Sequence, residues 1–76
     1  MPRKKSPANQ ALGKAIRAAR TEAGYTQESF AAHAEIDRSY YGAIERGEFN
    51  LTLDTIKRIA AALNLSAAKL FERAKL

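Results

Sequence analysis

A chain of 76 residues with no cysteine and a net charge of +5 is one small domain near the lower limit for folding alone. Such a chain has no room for a deep substrate pocket, no disulfide framework and no thiolate metal site. No apolar run approaches the roughly 20 residues of a membrane span and no signal-peptide pattern is present, so no membrane partner is expected and a cytoplasmic protein is.

The first element is a tail. Residues 1–8 are basic and Pro-containing, and residues 9–76 form the folded domain. Arg3, Lys4 and Lys5 carry most of the excess charge, because from Asn9 onward ten Lys and Arg face eight Asp and Glu. A polyanion-binding face must therefore come from a local arrangement of charge; the tail's lysines read as solvated charge, with a DNA-wrapping arm as the alternative. The first helix starts at a Ser6 cap followed by Pro7, or at an Asn9 cap. Leu12, Ile16, Ala19 and Ala23 recur at helical spacing, and Gly24 closes the helix as a left-handed residue.

One pattern then repeats four times: an apolar residue, a capping residue, and a second apolar residue four positions after the cap. The sets are Tyr25, Thr26 and Phe30; Ile36, Asp37 and Tyr41; Leu51, Thr52 and Ile56; and Leu65, Ser66 and Leu70. This is the hydrophobic staple around an N-cap. It predicts helices over 27–34, 38–46, 53–63 and 67–74. No segment alternates as a strand would, so the predicted fold class is all-α with five helices. Only Glu35, Ile36 and Asp37 separate the second helix from the third, which suits the crossed pair of a helix-turn-helix, and Ala31 and Ala34 are small enough for close approach.

The third helix, within "DRSYYGAIERG", is locally unfavourable. Arg38 opposes the helix dipole and Gly42 costs about 1 kcal/mol against alanine. On a helical wheel Tyr41 and Ile44 form the apolar seam. Ser39, Gly42, Ala43 and Arg46 fall opposite, with Arg38 and Tyr40 flanking. A small face with arginines at its ends fits a helix pushed into a DNA groove, where Arg and Ser donate to base edges and phosphates. Tyr41 reads as core, Glu45 as a structural partner, and His33 as a surface side chain with no metal partner near it in sequence. Ser29, His33 and Asp37 share one helix-like spacing, but four-residue steps do not build an oriented catalytic triad.

The segment "YTQESFAAHAEIDRSYYGAIERG", with "AIRAAR" before it and "NLTLDTIKRIAAALNL" after it, resembles the phage-repressor helix-turn-helix family (lambda-repressor-like, Cro-type, XRE) over about residues 9–74. Within that family "IDRSY" and "GAIERG" are most similar to restriction–modification controller proteins. The resemblance implies a five-helix lambda-repressor-like domain that binds double-stranded DNA. It implies that Gln27 braces the recognition helix and reaches a phosphate, and that Arg38, Ser39 and Ala43 face base edges. Tyr40 then touches backbone or base, and Arg46 and Asn50 lie near phosphates. Arg20 and Glu45 match a structural ion pair. Ala43, Glu48 and Phe49 depart from the more polar or basic residues many relatives carry, which shifts readout toward Arg38, Arg46 and DNA shape.

The expected function is a sequence-specific transcription regulator, a homodimer on a (pseudo)palindromic operator, with Leu65, Leu70, Phe71 and Leu76 at the dimer interface. The alternative is a protein-interaction module of the same fold, such as the antitoxin of a toxin–antitoxin pair; little apolar sequence outside the helices is left for a toxin. No enzyme activity, cofactor, metal or small-molecule effector is expected.

Overall fold

The computed structural model describes residues 6–76. Arg3, Lys4 and Lys5, read as solvated charge with a DNA arm as the alternative, lie outside the described residues. Five helices follow one another: α1 (Pro7–Glu22), α2 (Gln27–Ala34), α3 (Arg38–Glu45), α4 (Leu53–Ala62) and α5 (Ala67–Arg73). Ser6 caps α1, accepting from the backbone N–H of Asn9 at 3.1 Å. Pro7 and Ala8, assigned to the tail on sequence grounds, are thus the first residues of a helix, because the Ser-Pro start prevails over Asn9.

Each later helix starts at the cap its sequence offers. Thr26, Asp37, Thr52 and Ser66 accept from the N–H groups of Ser29, Tyr40, Thr55 and Lys69. The ends share one construction too. Gly24, Glu35, Gly47, Asn64 and Lys75 adopt positive φ. The residue after each donates its N–H back to the last turn, as Tyr25 does to the Arg20 carbonyl, Ile36 to Ala31 and Leu65 to Ala60. This is the Schellman arrangement. Tyr25, Ile36 and Leu65 therefore serve twice: each closes one helix and staples the next. That economy is why the connections are so short.

The core joins Leu12 and Ile16 of α1, Phe30 of α2, Tyr41 and Ile44 of α3, Ile56 and Ile59 of α4, and Leu70 of α5, all buried. Helix α3 packs on both α1 and α2, while α5 closes the bundle against α1 and α4. Ala31 and Ala34 are buried where α2 meets its neighbours. Gly13 sets the approach of α1 to α3. A Cβ there would lie 2.5 Å from the Glu45 carbonyl oxygen and 2.6 Å from that of Ile44, so no other residue fits without moving backbone. Gly47 has the same constraint from the other side: its φ is +74°, and an added Cβ would meet the Gln10 backbone at 2.8 Å.

Leu70 is fully buried in its own chain's core. This corrects its expected place at a dimer surface: the fourth residue after the Ser66 cap is the staple position, which turns inward. Leu65 and Phe71 are half-buried, and Leu76 is 57% exposed. Leu53, at the start of α4, is more exposed still and was not anticipated.

Candidate nucleic-acid interface

The frame of the site is a carboxylate. Glu45 stands at the end of α3 with its side chain only 3% exposed. The last turn of α1 brings Arg20 to it, donating from Nε to Oε2 at 2.7 Å and from Nη2 to Oε1 at 3.2 Å. The first residue of α2, Gln27, donates from Nε2 to Oε1 at 3.1 Å. The Tyr41 hydroxyl, one turn earlier on α3, donates to Oε2. Arg20 uses its remaining fork on the Tyr25 carbonyl at 2.9 Å. No buried side-chain nitrogen or oxygen among the described residues lacks a hydrogen-bond partner.

This network decides the charge state. Burial pushes the Glu45 carboxyl up, but the hydrogen bonds from Arg20, Tyr41 and Gln27 outweigh it and hold the group below the usual carboxylate range. Burial, then the bond to Glu45, raises the Tyr41 phenol far above its ordinary value. The bond to Glu45 raises Arg20. An ionised carboxylate ties three helices together, and α3 is held rigidly where it emerges.

Outside that frame α3 borders a concavity of about 550 Å³ lined by Gln27, Arg38, Ser39, Tyr40, Ala43, Arg46 and Phe49. Six of the seven residues expected to face DNA meet there. The seventh, Asn50, lies in the loop after α3, exposed, where its Oδ1 accepts from Asn9 Nδ2 at 2.8 Å. Arg38 and Arg46 stand at the two ends of the helix, about 12 Å apart along its axis at 1.5 Å per residue.

The small face of α3 is not open as the wheel suggested. Ala43 is only 3% exposed, and Gly42 is buried. Arg46 Nη1 and Gln27 Oε1 lie 3.3 and 3.4 Å from where a Gly42 Cβ would stand. The wheel gives directions from the axis; it does not show that neighbouring side chains fold back over that face. What reaches outward is Arg38, Ser39 and the exposed part of Arg46.

Both arginines have carboxylate neighbours that sequence reasoning missed. Arg38 Nε is 3.7 Å from Glu28 Oε2, with both side chains exposed. Arg46 grips Glu48 with two bonds, Nε to Oε2 at 2.9 Å and Nη2 to Oε1 at 3.3 Å, and this raises the Arg46 guanidinium. Phe49 was also missed as a lining residue. It packs edge-on against Tyr40, ring centroids 5.5 Å apart, which holds the Tyr40 ring beside the concavity. A signal was present in the sequence: an acid two residues after Arg46, and an aromatic just past the chain-reversing Gly47. His33 stacks on Tyr25 at 5.0 Å.

A helix-turn-helix family profile matches residues 16–70. The chain belongs to the XRE-type helix-turn-helix family of DNA-binding regulators. Among its relatives, control protein C.MunI from a Mycoplasma species is 44% identical over 46 residues, which cover 60% of this chain. That match spans 62% of C.MunI, so the chain accounts for about three fifths of that relative's length. Control protein C.SmaI from Serratia marcescens is 39% identical over 62 residues, covering 82% of this chain and 74% of that one. The crystal structure of the restriction–modification controller protein C.AhdI from Aeromonas hydrophila superposes with a TM-score of 0.79 at 38% identity, covering 83% of this chain and 96% of that one. In this helix-turn-helix protein α2 and α3 are the motif, and the Arg38 end of α3 is its exposed tip. Among the described residues no helix is long and apolar enough to cross a membrane.

Proposed function

We propose that this protein is a sequence-specific double-stranded DNA-binding transcription regulator of the restriction–modification controller kind, acting as a homodimer on a (pseudo)palindromic operator. The observation that carries the reading is the second helix of a helix-turn-helix, anchored at its buried end by Glu45 and presenting Arg38 and Ser39 at its free end. In this reading α3 enters the major groove. Arg38 pairs with a guanine through O6 and N7, Ser39 donates to a base edge or phosphate, and the Ala43 methyl offers apolar contact. Gln27, Tyr40, Arg46 and Asn50 hold the register through the backbone.

The dimer surface is assigned to Leu65, Phe71 and Leu76, since Leu70 is committed to the core. Relatives described as controller and control proteins support the regulatory role. Selection of duplexes from a random pool at defined salt tests DNA recognition, and the expected product is a two-fold-related pair of half-sites. Sedimentation equilibrium in the micromolar range tests the dimer. A pool that yields no preferred sequence rejects the regulator and points to the interaction module instead.

A further inference from the structure

Arg46 is placed to meet DNA, yet its fork already holds a carboxylate. It caps α3, and Gly47 then reverses the chain at φ +74°. The Glu48 N–H returns to the Ala43 carbonyl at 3.0 Å, which fixes where the Glu48 side chain starts. From there its two oxygens take the Nε and Nη2 edge of Arg46. The Glu48 side chain is 12% exposed and that of Arg46 53%. The acid is thus seated, while the arginine sits at the rim of the concavity.

A carboxylate and a phosphodiester present the same paired acceptors to a guanidinium edge. One edge accommodates one of them, and the Nη1 side of Arg46 is turned over Gly42 beside Gln27 Oε1. We propose that Glu48 is an affinity-setting residue: an internal competitor that occupies the phosphate-binding edge of Arg46 and must be displaced, or left facing a like charge, when a DNA phosphate arrives. Because a phosphate carries no sequence information, the competition weakens all duplexes alike and hides one counterion-releasing contact. The inference rests on the reading of this face as the DNA interface.

The test uses the full chain as wild type, Glu48→Gln, Arg46→Ala and the double variant, with Glu72→Gln, far out on α5, as a charge control. Binding is measured by anisotropy on a selected operator and on a random duplex, from about 50 to 200 mM salt, after circular dichroism has verified folding. Glu48→Ala replaces Glu48→Gln if the amide disturbs the loop. Glu48→Gln is expected to tighten binding about two- to fivefold on both duplexes, the range for releasing a surface ion pair. It should also steepen the salt slope by about one. Neither gain should appear when residue 46 is alanine, and Glu72→Gln should change nothing.

Weaker binding by Glu48→Gln overturns the proposal and makes Glu48 a positioning residue for Arg46. An equal gain in the Arg46→Ala background, or from Glu72→Gln, overturns it in favour of general charge. If Arg46→Ala leaves affinity and slope unchanged while Arg38→Ala lowers affinity, the inference fails and the interface reading survives. A wild type that binds no duplex removes both.

Discussion

The two ends of α3 carry the same chemistry in opposite settings. At the C-terminal end, Arg20 and Glu45 meet at 2.7 Å with side chains 12% and 3% exposed. At the N-terminal end, Arg38 and Glu28 stand 3.7 Å apart with side chains 70% and 75% exposed. The buried pair is largely shielded from water and shares its carboxylate with Tyr41 and Gln27, so it serves geometry. The exposed pair is cheap to break, so its arginine is available to a ligand. Burial, rather than charge, separates the part of the helix that holds position from the part proposed to meet DNA.

The largest effect expected from that contrast is on stability. Removing one partner of the buried pair, by Glu45→Ala or Arg20→Ala, leaves the other's charge unpaired, with only the neutral donors Tyr41 and Gln27 on Glu45 or the Tyr25 carbonyl on Arg20, and should cost about 3–5 kcal/mol in urea unfolding. A loss below about 1 kcal/mol would place the pair with exposed ones and erase the contrast.

Next comes the contact that brings α1 to the buried end. Gly13→Ala should destabilise by about 1–3 kcal/mol, although alanine is the better helix former by about 1 kcal/mol. The added methyl meets carbonyl oxygens of residues 44 and 45, which are backbone and cannot swing away. A stabilised variant would mean that α1 and α3 slide apart freely.

The exposed end should respond in binding and barely in folding. Arg38→Ala should change unfolding by less than about 0.5 kcal/mol, as surface substitutions do. In operator binding it should cost about 1–3 kcal/mol at one base pair and relax the preference there. Base-by-base substitution of a selected half-site measures this. A uniform loss across all sequences would move the reading role from Arg38 to Ser39, Tyr40 or DNA shape.

A gentler probe of the buried end is pH. Glu45 titrates lower in the folded chain than in the unfolded one. Its contribution is complete above the unfolded glutamate value of about 4.3 and is lost as pH falls through the folded value. Tyr41 titrates higher when folded; its contribution is complete below the unfolded tyrosine value of about 10 and is lost as pH rises beyond it. Urea midpoints across pH should therefore fall on both sides, Glu45→Gln flattening the acid limb and Tyr41→Phe the alkaline one. An acid limb unchanged by Glu45→Gln would assign it to other carboxylates.

Helix boundaries were legible because their causes are local. Thr26, Asp37, Thr52 and Ser66 each cap an N–H three residues ahead, and each staple joins residues five positions apart. The left-handed closures carry their signal in residue type at Gly24, Gly47 and Asn64. Glu35 and Lys75 take the same conformation without the residue type that advertises it, held there by the hydrogen bonds of the following residue. Of the interface, the residues that come together could be named from the resemblance, but their partners could not. Glu28 reaches the site from another helix, which its sequence neighbours do not show; Glu48 and Phe49 lie near Arg46 in sequence, but which side chain each meets is set by the chain reversal at Gly47.

The sequence alone determined that this chain forms five short helices with a helix-turn-helix at its centre, because caps, staples and apolar spacing act within a turn or two of helix. Tertiary structure decided which side chains face inward and which meet. It covered Gly42 with the tips of Gln27 and Arg46, and gave Arg46 to Glu48. A long side chain can reach several neighbours, and which one it finds depends on how the elements dock. Docking here is set by contacts such as Gly13 against the end of α3, between residues more than thirty positions apart.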